Sequence, residues 1–193
     1  MRNDIPFFLT KLTVLAILVG CGDGDPANRN KEGGEQTTGR TKEQASSPSK
    51  DQIKINQVKS VNAAKVIGGG LNSYFEEKLK MPSADKWCDV ALTEIGSGKV
   101  FVSPQHPEFK QLLEKAGEGE KISHYAMNKS VAGDGFSGSK VLVFECDLGW
   151  NGSGGLEDAL KYMEKNKLEK IAVSKGNGSS IAVTQEELKE LEW

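Results

Sequence analysis

The chain has 193 residues, 25 of them basic and 27 acidic, for a formal charge of −2. That length accommodates one domain of ordinary size plus appendages. Near-neutral balance without a basic stripe argues against nucleic acid as a partner.

Taken from the start, Arg2 and Lys11 flank a short apolar run, "LTVLAILVG" (12–20), that ends at Cys21. Nine residues cannot cross a hydrocarbon core of about 30 Å, which takes a helix of about 20. A charged n-region, a short apolar h-region and a small residue before the cut describe a secretory signal peptide over residues 1–20. Leu18-Val19-Gly20-Cys21 resembles the lipobox of bacterial lipoproteins. The resemblance implies that Cys21 receives a diacylglycerol and that the mature chain is held at a membrane by this lipid. It places the protein in the bacterial cell envelope, facing the periplasm. An ordinary signal peptide with an incidental cysteine is the alternative.

Residues 22–52 contain no Val, Ile, Leu, Met or aromatic residue. Such a segment cannot bury enough apolar surface to offset its ordering entropy. Residues 21–53 are therefore expected to be a disordered polar tether with a reach of roughly 30 Å. Residues 54–193 are then a domain able to bury a core of its own.

In that domain Val58, Val61, Ile67, Leu71, Tyr74, Phe75 and Leu79 recur at helical spacing. Gly68-Gly69-Gly70 interrupts them, where close approach of the helix backbone to a sheet would use glycine. Pro82 ends the helix, and Ser83 is the expected N-cap of a second one over "ADKWCDVALTEIG". "KVFV" (99–102), "ISHYAM" (122–127) and "KVLVFEC" (140–146) are predicted strands. "PEFKQLLEKAG" (107–117) and "LEDALKYMEK" are predicted helices. "KIAVSKGNGSSIAVT" is a predicted hairpin turning at Lys175–Gly178, and Thr184 with Glu187 forms a capping box for a last helix. The expected class is α+β, with a long N-terminal helix on a small antiparallel sheet plus short helices.

Three stretches, "GGGLNSYFEEKLKMPSADKWCDVALTEIGSGKVFVSPQ", "ISHYAMNKSVAG" and "VLVFECDLGWNGSGG", follow one another in an order that resembles prepilin-like proteins. These are relatives of type II secretion pseudopilins and type IV pilins whose C-termini carry a histidine, nine residues and Asp-Gly. The resemblance implies a pilin-like head. It also shows departures: Lys165 and Lys175 stand where histidine and aspartate belong, with only the turn glycine, Gly176, retained. Ser103 stands where relatives often have cysteine. Pilins polymerise through an apolar helix continuous from membrane to head, and the polar residues 22–52 would break it, so an ordinary filament subunit is not expected.

The densest group of chemistry-bearing residues is "VFECDLGWNGSGG" (143–155). Strand alternation puts Val141, Val143, Glu145 and Asp147 on one face and Leu142, Phe144 and Cys146 on the other. Glu145, Asp147 and Asn151 are a weak calcium candidate set, against a solvated strand end and a structural turn anchored by Trp150. Cys88 and Cys146, left over after lipidation, form an even pair that an oxidising compartment can bridge, with two buried free thiols as the alternative. His106 and His124 belong to no hydrolase or metalloprotease motif, and no catalytic residue or cofactor is expected. The sequence points to a non-enzymatic, lipid-anchored envelope protein whose pseudopilin-like head binds an envelope partner in an accessory role to secretion or pili. The alternative is a calcium- or solute-binding periplasmic lipoprotein.

Overall fold

The computed structural model describes residues 49–133 and 136–193. The expectations for residues 1–48, including lipidation at Cys21, lie outside the described residues. Contacts divide the chain between Gln44 and Ala45, and the architecture below belongs to the second unit. Among the described residues, no helix is long and apolar enough to cross a membrane.

The first helix, α1, runs Lys50–Lys78, ahead of the expected boundary at residue 53. Ser49 sets its start: the backbone there is extended and its hydroxyl accepts the Gln52 N–H at 3.2 Å. The helix closes at Leu79, in the left-handed region (φ 58°), whose N–H returns to the Phe75 carbonyl at 2.7 Å. Its buried face is made of Ser60, Ala64, Ile67, Gly68, Gly70 and Leu71. Val58 and Leu79, expected in the apolar stripe, are instead 61% and 79% exposed. Small residues bring the helix close to its neighbours, as the glycine triplet suggested. A Cβ on Gly68 would meet Ser174 Oγ at 2.2 Å, one on Gly70 would meet Ile95 Cγ1 at 3.0 Å, and one on Gly69 would meet nothing within 4 Å. Two of the three glycines thus serve two different contacts, one on the sheet and one on the next helix.

That next helix, α2, spans Trp87–Ile95 and closes at Gly96. Ser83 does not cap it; its carbonyl accepts Lys86 N–H in a preceding turn, at 3.0 Å. Residues Gly98–Phe101 form a 3-10 turn rather than the expected strand. Phe101 is driven into the core between Trp87 and Trp150, at ring distances of 6.0 and 5.2 Å. A single ladder-like bond remains, from His124 N to Phe101 O at 2.9 Å. Helix α3 covers Phe109–Gly117.

Five strands follow: β1 Tyr125–Asn128, β2 Val141–Glu145, β3 Ser153–Gly154, β4 Ile171–Lys175 and β5 Ser180–Val183, in the spatial order β3-β1-β2-β4-β5. The β1–β2, β2–β4 and β4–β5 pairs are antiparallel, whereas β3 runs parallel to β1. The sheet is therefore mixed, and the two-residue β3 is an element the sequence pattern did not suggest. Helices α4 (Leu156–Asn166) and α5 (Gln185–Lys189) complete the α+β fold. The Thr184–Glu187 capping box is present, with bonds of 2.8 and 3.2 Å.

Alternation along the strands feeds two cores. Tyr125, Met127, Val143 and Ala172 pack under α1 and α2; Ala126, Phe144, Ile171 and Val173 pack against α4 and α5. Strand β2 breaks the rule once. Val141 opposes Lys175 but Val143 opposes Ser174, so the register slips between them. This bulge turns Leu142 to the α1 side with Val143, and Val141 to the other side with Phe144. The alternation expected from residue 141 onward holds only from Val143.

Candidate functional site

The glycine-rich loop after β2 is a clamp on α2. Asn151 sits in the left-handed region at φ 59°, which asparagine tolerates better than most residues. Its Oδ1 accepts the Cys88 N–H at 2.7 Å, and its Nδ2 donates to Asp89 Oδ2 at 2.7 Å. Trp150 Nε1 donates to Asp89 Oδ1 at 3.1 Å, and Trp87 Nε1 donates to the Gly152 carbonyl at 2.9 Å. The Lys121 ammonium reaches Asp89 at 2.8 Å. Hydrogen bonds from Asn151, Lys121 and Trp150 hold the Asp89 carboxyl at about 2, well below its usual range.

Glu145 is not the solvated strand end that alternation suggested. Its side chain points under α1 and is wholly buried. Oε1 accepts the Ser103 hydroxyl and, at 3.4 Å, the Ser60 hydroxyl. Oε2 accepts Gln105 Nε2 at 2.8 Å and the Ala172 N–H at 3.1 Å. One carboxylate thus joins α1, the 103–105 loop, β2 and β4. Burial raises its pKa, while these four donors pull the other way. Beside it, His124 Nδ1 accepts the Ser103 N–H at 3.3 Å, and the His124 and His106 rings lie 4.5 Å apart. Burial first, and His106 second, depress the His124 pKa to about 4.

The calcium set does not form. Glu145 is buried under α1, Asp147 is exposed, and Asn151 spends its side chain on Cys88 and Asp89. Among the described residues no group of three or more His, Cys, Asp or Glu side chains converges as a metal site. The disulfide does not form either: Cys88 and Cys146 are buried free thiols. Cys88 belongs to the α1–α2 core and accepts the Asn151 N–H at 3.2 Å, whereas Cys146 belongs to the α4–α5 core and donates to the Asp158 carbonyl at 3.6 Å. The sheet separates them. Desolvation pushes both thiols up to about 12.

One concavity adjoins the Glu145 node. It has a volume of about 390 Å³ and lies between the first turns of α1 (Ile53, Asn56, Gln57), the 105–107 segment, and the end of α4 (Tyr162, Asn166) with the residues that follow it, 167–169. Gln105 belongs to both features, with its amide nitrogen on Glu145 and its side chain in the pocket lining. Sequence reasoning did not foresee this site, because its residues come from three distant segments without a shared motif. The only local signal for Glu145's inward turn is the unbroken apolar run Val141–Phe144, which strict alternation does not produce.

Comparison with family models, curated proteins and solved structures finds no match.

Proposed function

We propose that this protein is a lipid-anchored component of the bacterial cell envelope whose folded head works by binding rather than by catalysis. The observation that carries the reading is the start of α1. It begins at Lys50 under its own Ser49 cap, within the last residues of the polar stretch, so the head has a defined beginning of its own. A capped head on a polar leash behind a lipobox cysteine is the layout of a tethered module. The long helix on a largely antiparallel sheet supports a pilin-like head used as an accessory to secretion or pili, outside the filament itself. The engagement of both Glu145 oxygens by internal donors supports a structural role for this buried carboxylate.

Metabolic labelling with a fatty acid in a bacterial host tests the anchor. The wild-type chain should take up label and sediment with membranes, and Cys21→Ser should remain an unlabelled precursor. A mutant that still matures and still carries label would overturn the anchor.

A further inference from the structure

We infer that the pocket between the first turns of α1, residues 105–107 and the end of α4 is a binding site for a small uncharged saccharide.

Apart from Lys167 and Glu169, which carry opposite charges, its polar lining is uncharged and mixed in sense. Tyr162 lines the pocket and is only 7% exposed, yet its hydroxyl makes no hydrogen bond to the described residues. Gln105 uses its Nε2 on Glu145 Oε2 (2.8 Å) and the Lys170 carbonyl (3.4 Å), which leaves Oε1 as an acceptor. Asn166 uses Nδ2 on the Tyr162 carbonyl at 2.9 Å, which likewise leaves its oxygen. Asn56 accepts from Gln52 at 2.8 Å, which leaves its Nδ2 as a donor. His106 Nδ1 accepts the Glu108 N–H at 3.2 Å, so Nε2 carries the proton and donates. The free groups therefore include both donors and acceptors, with one hydroxyl that does both.

Sugar hydroxyls also donate and accept at one atom, so each can satisfy such a pair of neighbours. An anion would instead need unopposed cations, and the rim carries one of each sign, Lys167 and Glu169. Ile53, Pro107 and Leu168 add apolar surface suited to the C–H face of a pyranose ring. The volume of about 390 Å³ falls at the lower end of small-ligand sites, roughly 300–1,000 Å³, which fits one or two rings. Two features pre-organise the floor: Gln105 is pinned to the buried Glu145, and Tyr162 is packed in the α4–α5 core.

The inference rests on the reading of the head as a binding module, and saturation-transfer NMR on the full-length protein distinguishes the failure of one from the failure of the other. The probes are glucose, N-acetylglucosamine and maltose, with glucuronate and glucosamine as charged comparators. Transfer to at least one neutral sugar is expected, with weaker binding of both charged probes. Tyr162→Phe, which keeps the ring in the core, and Gln57→Ala, at a half-buried position of the pocket lining, should each weaken binding about tenfold with melting temperature unchanged. Absence of transfer to all three neutral sugars, preference for a charged probe, or full affinity in both variants would overturn the saccharide site. Binding followed by chemical conversion of the sugar would support the site and overturn the non-catalytic reading.

Discussion

The side-chain oxygen of Asn151 accepts the backbone N–H of Cys88 at 2.7 Å, so a residue 63 positions downstream caps helix α2. The helix has no side-chain cap of its own. Asn151→Ala removes the cap and puts alanine at a positive φ, for an expected loss of roughly 2–3 kcal/mol. Asn151→Gly keeps the backbone at ease and should lose only about 1 kcal/mol. Urea denaturation of the two variants checks the order; equal losses would remove the positive-φ argument, and an unchanged Asn151→Gly would remove the capping one.

The glycine triplet of α1 predicts opposite signs at adjacent positions. Gly69 faces open space, so Gly69→Ala should stabilise by up to about 1 kcal/mol. Gly68→Ala meets Ser174 Oγ and Cβ and should destabilise by about 1–3 kcal/mol. Ser174 Oγ is buried without a hydrogen-bond partner, so Ser174→Ala should cost little and should soften the Gly68→Ala penalty in the double mutant. Thermal melts of the four proteins decide it.

Glu145→Ala leaves the Ala172 N–H, Gln105 and two serines facing an uncompensated site, for an expected loss of roughly 3–5 kcal/mol. Glu145→Gln keeps the shape, and the serine hydroxyls can turn to accept from its amide. Because the folded-state pKa of Glu145 is raised, its contribution is fully present below the unfolded value of 4.5 and is lost as pH rises through the folded one. The stability of Glu145→Gln relative to wild type should therefore grow from pH 4 to pH 7. A constant difference would show that the carboxylate does not titrate as burial requires.

His124 has the reverse sense. Its folded pKa is depressed to about 4, so the stability of burying it neutral is present above its ordinary 6.5 and is lost as pH falls through 4. His124→Asn offers the Ser103 N–H an alternative acceptor without a proton to take up. It should flatten the decline between pH 6.5 and 4 while leaving the loss that follows as pH falls from 3.8 through about 2, where the Asp89 clamp titrates. An unchanged acid limb would count against the assignment.

The two described thiols should be silent in the folded protein. Both are buried and held up to about 12, so a thiol reagent at pH 8 should label neither Cys88 nor Cys146 until denaturant is added, when both should react at once. Mass spectrometry of the labelled protein would reveal any bridge as missing label.

Where local chemistry decides structure, the sequence was legible. The Thr184–Glu187 box, the Lys175–Gly178 turn and the close approach at Gly68 each follow from residues next to one another or from one missing Cβ. Where long-range packing decides, it was not. Phe101 gives up an extended backbone to sit between two tryptophans that lie 63 positions apart. The α2 cap comes from Asn151 rather than the nearby Ser83. A single extra residue in β2 reverses which of Val141 and Leu142 meets α1. The pocket belongs with these: Gln105 and Tyr162 become neighbours only through the fold.

The seat of α1 on β4 and β5 has a consequence for the order in which the chain matures. Synthesis runs from the N-terminus, so α1 leaves the ribosome long before the strands that cover Ile67, Gly68 and Leu71. Until residues 171–183 have emerged, that face has only β2 and its neighbour β1 to rest on, and Glu145 lacks the Ala172 N–H that anchors it. The head is thus closed by its last strands, and a nascent chain stalled ahead of β4 should stay open to proteases and to holding chaperones.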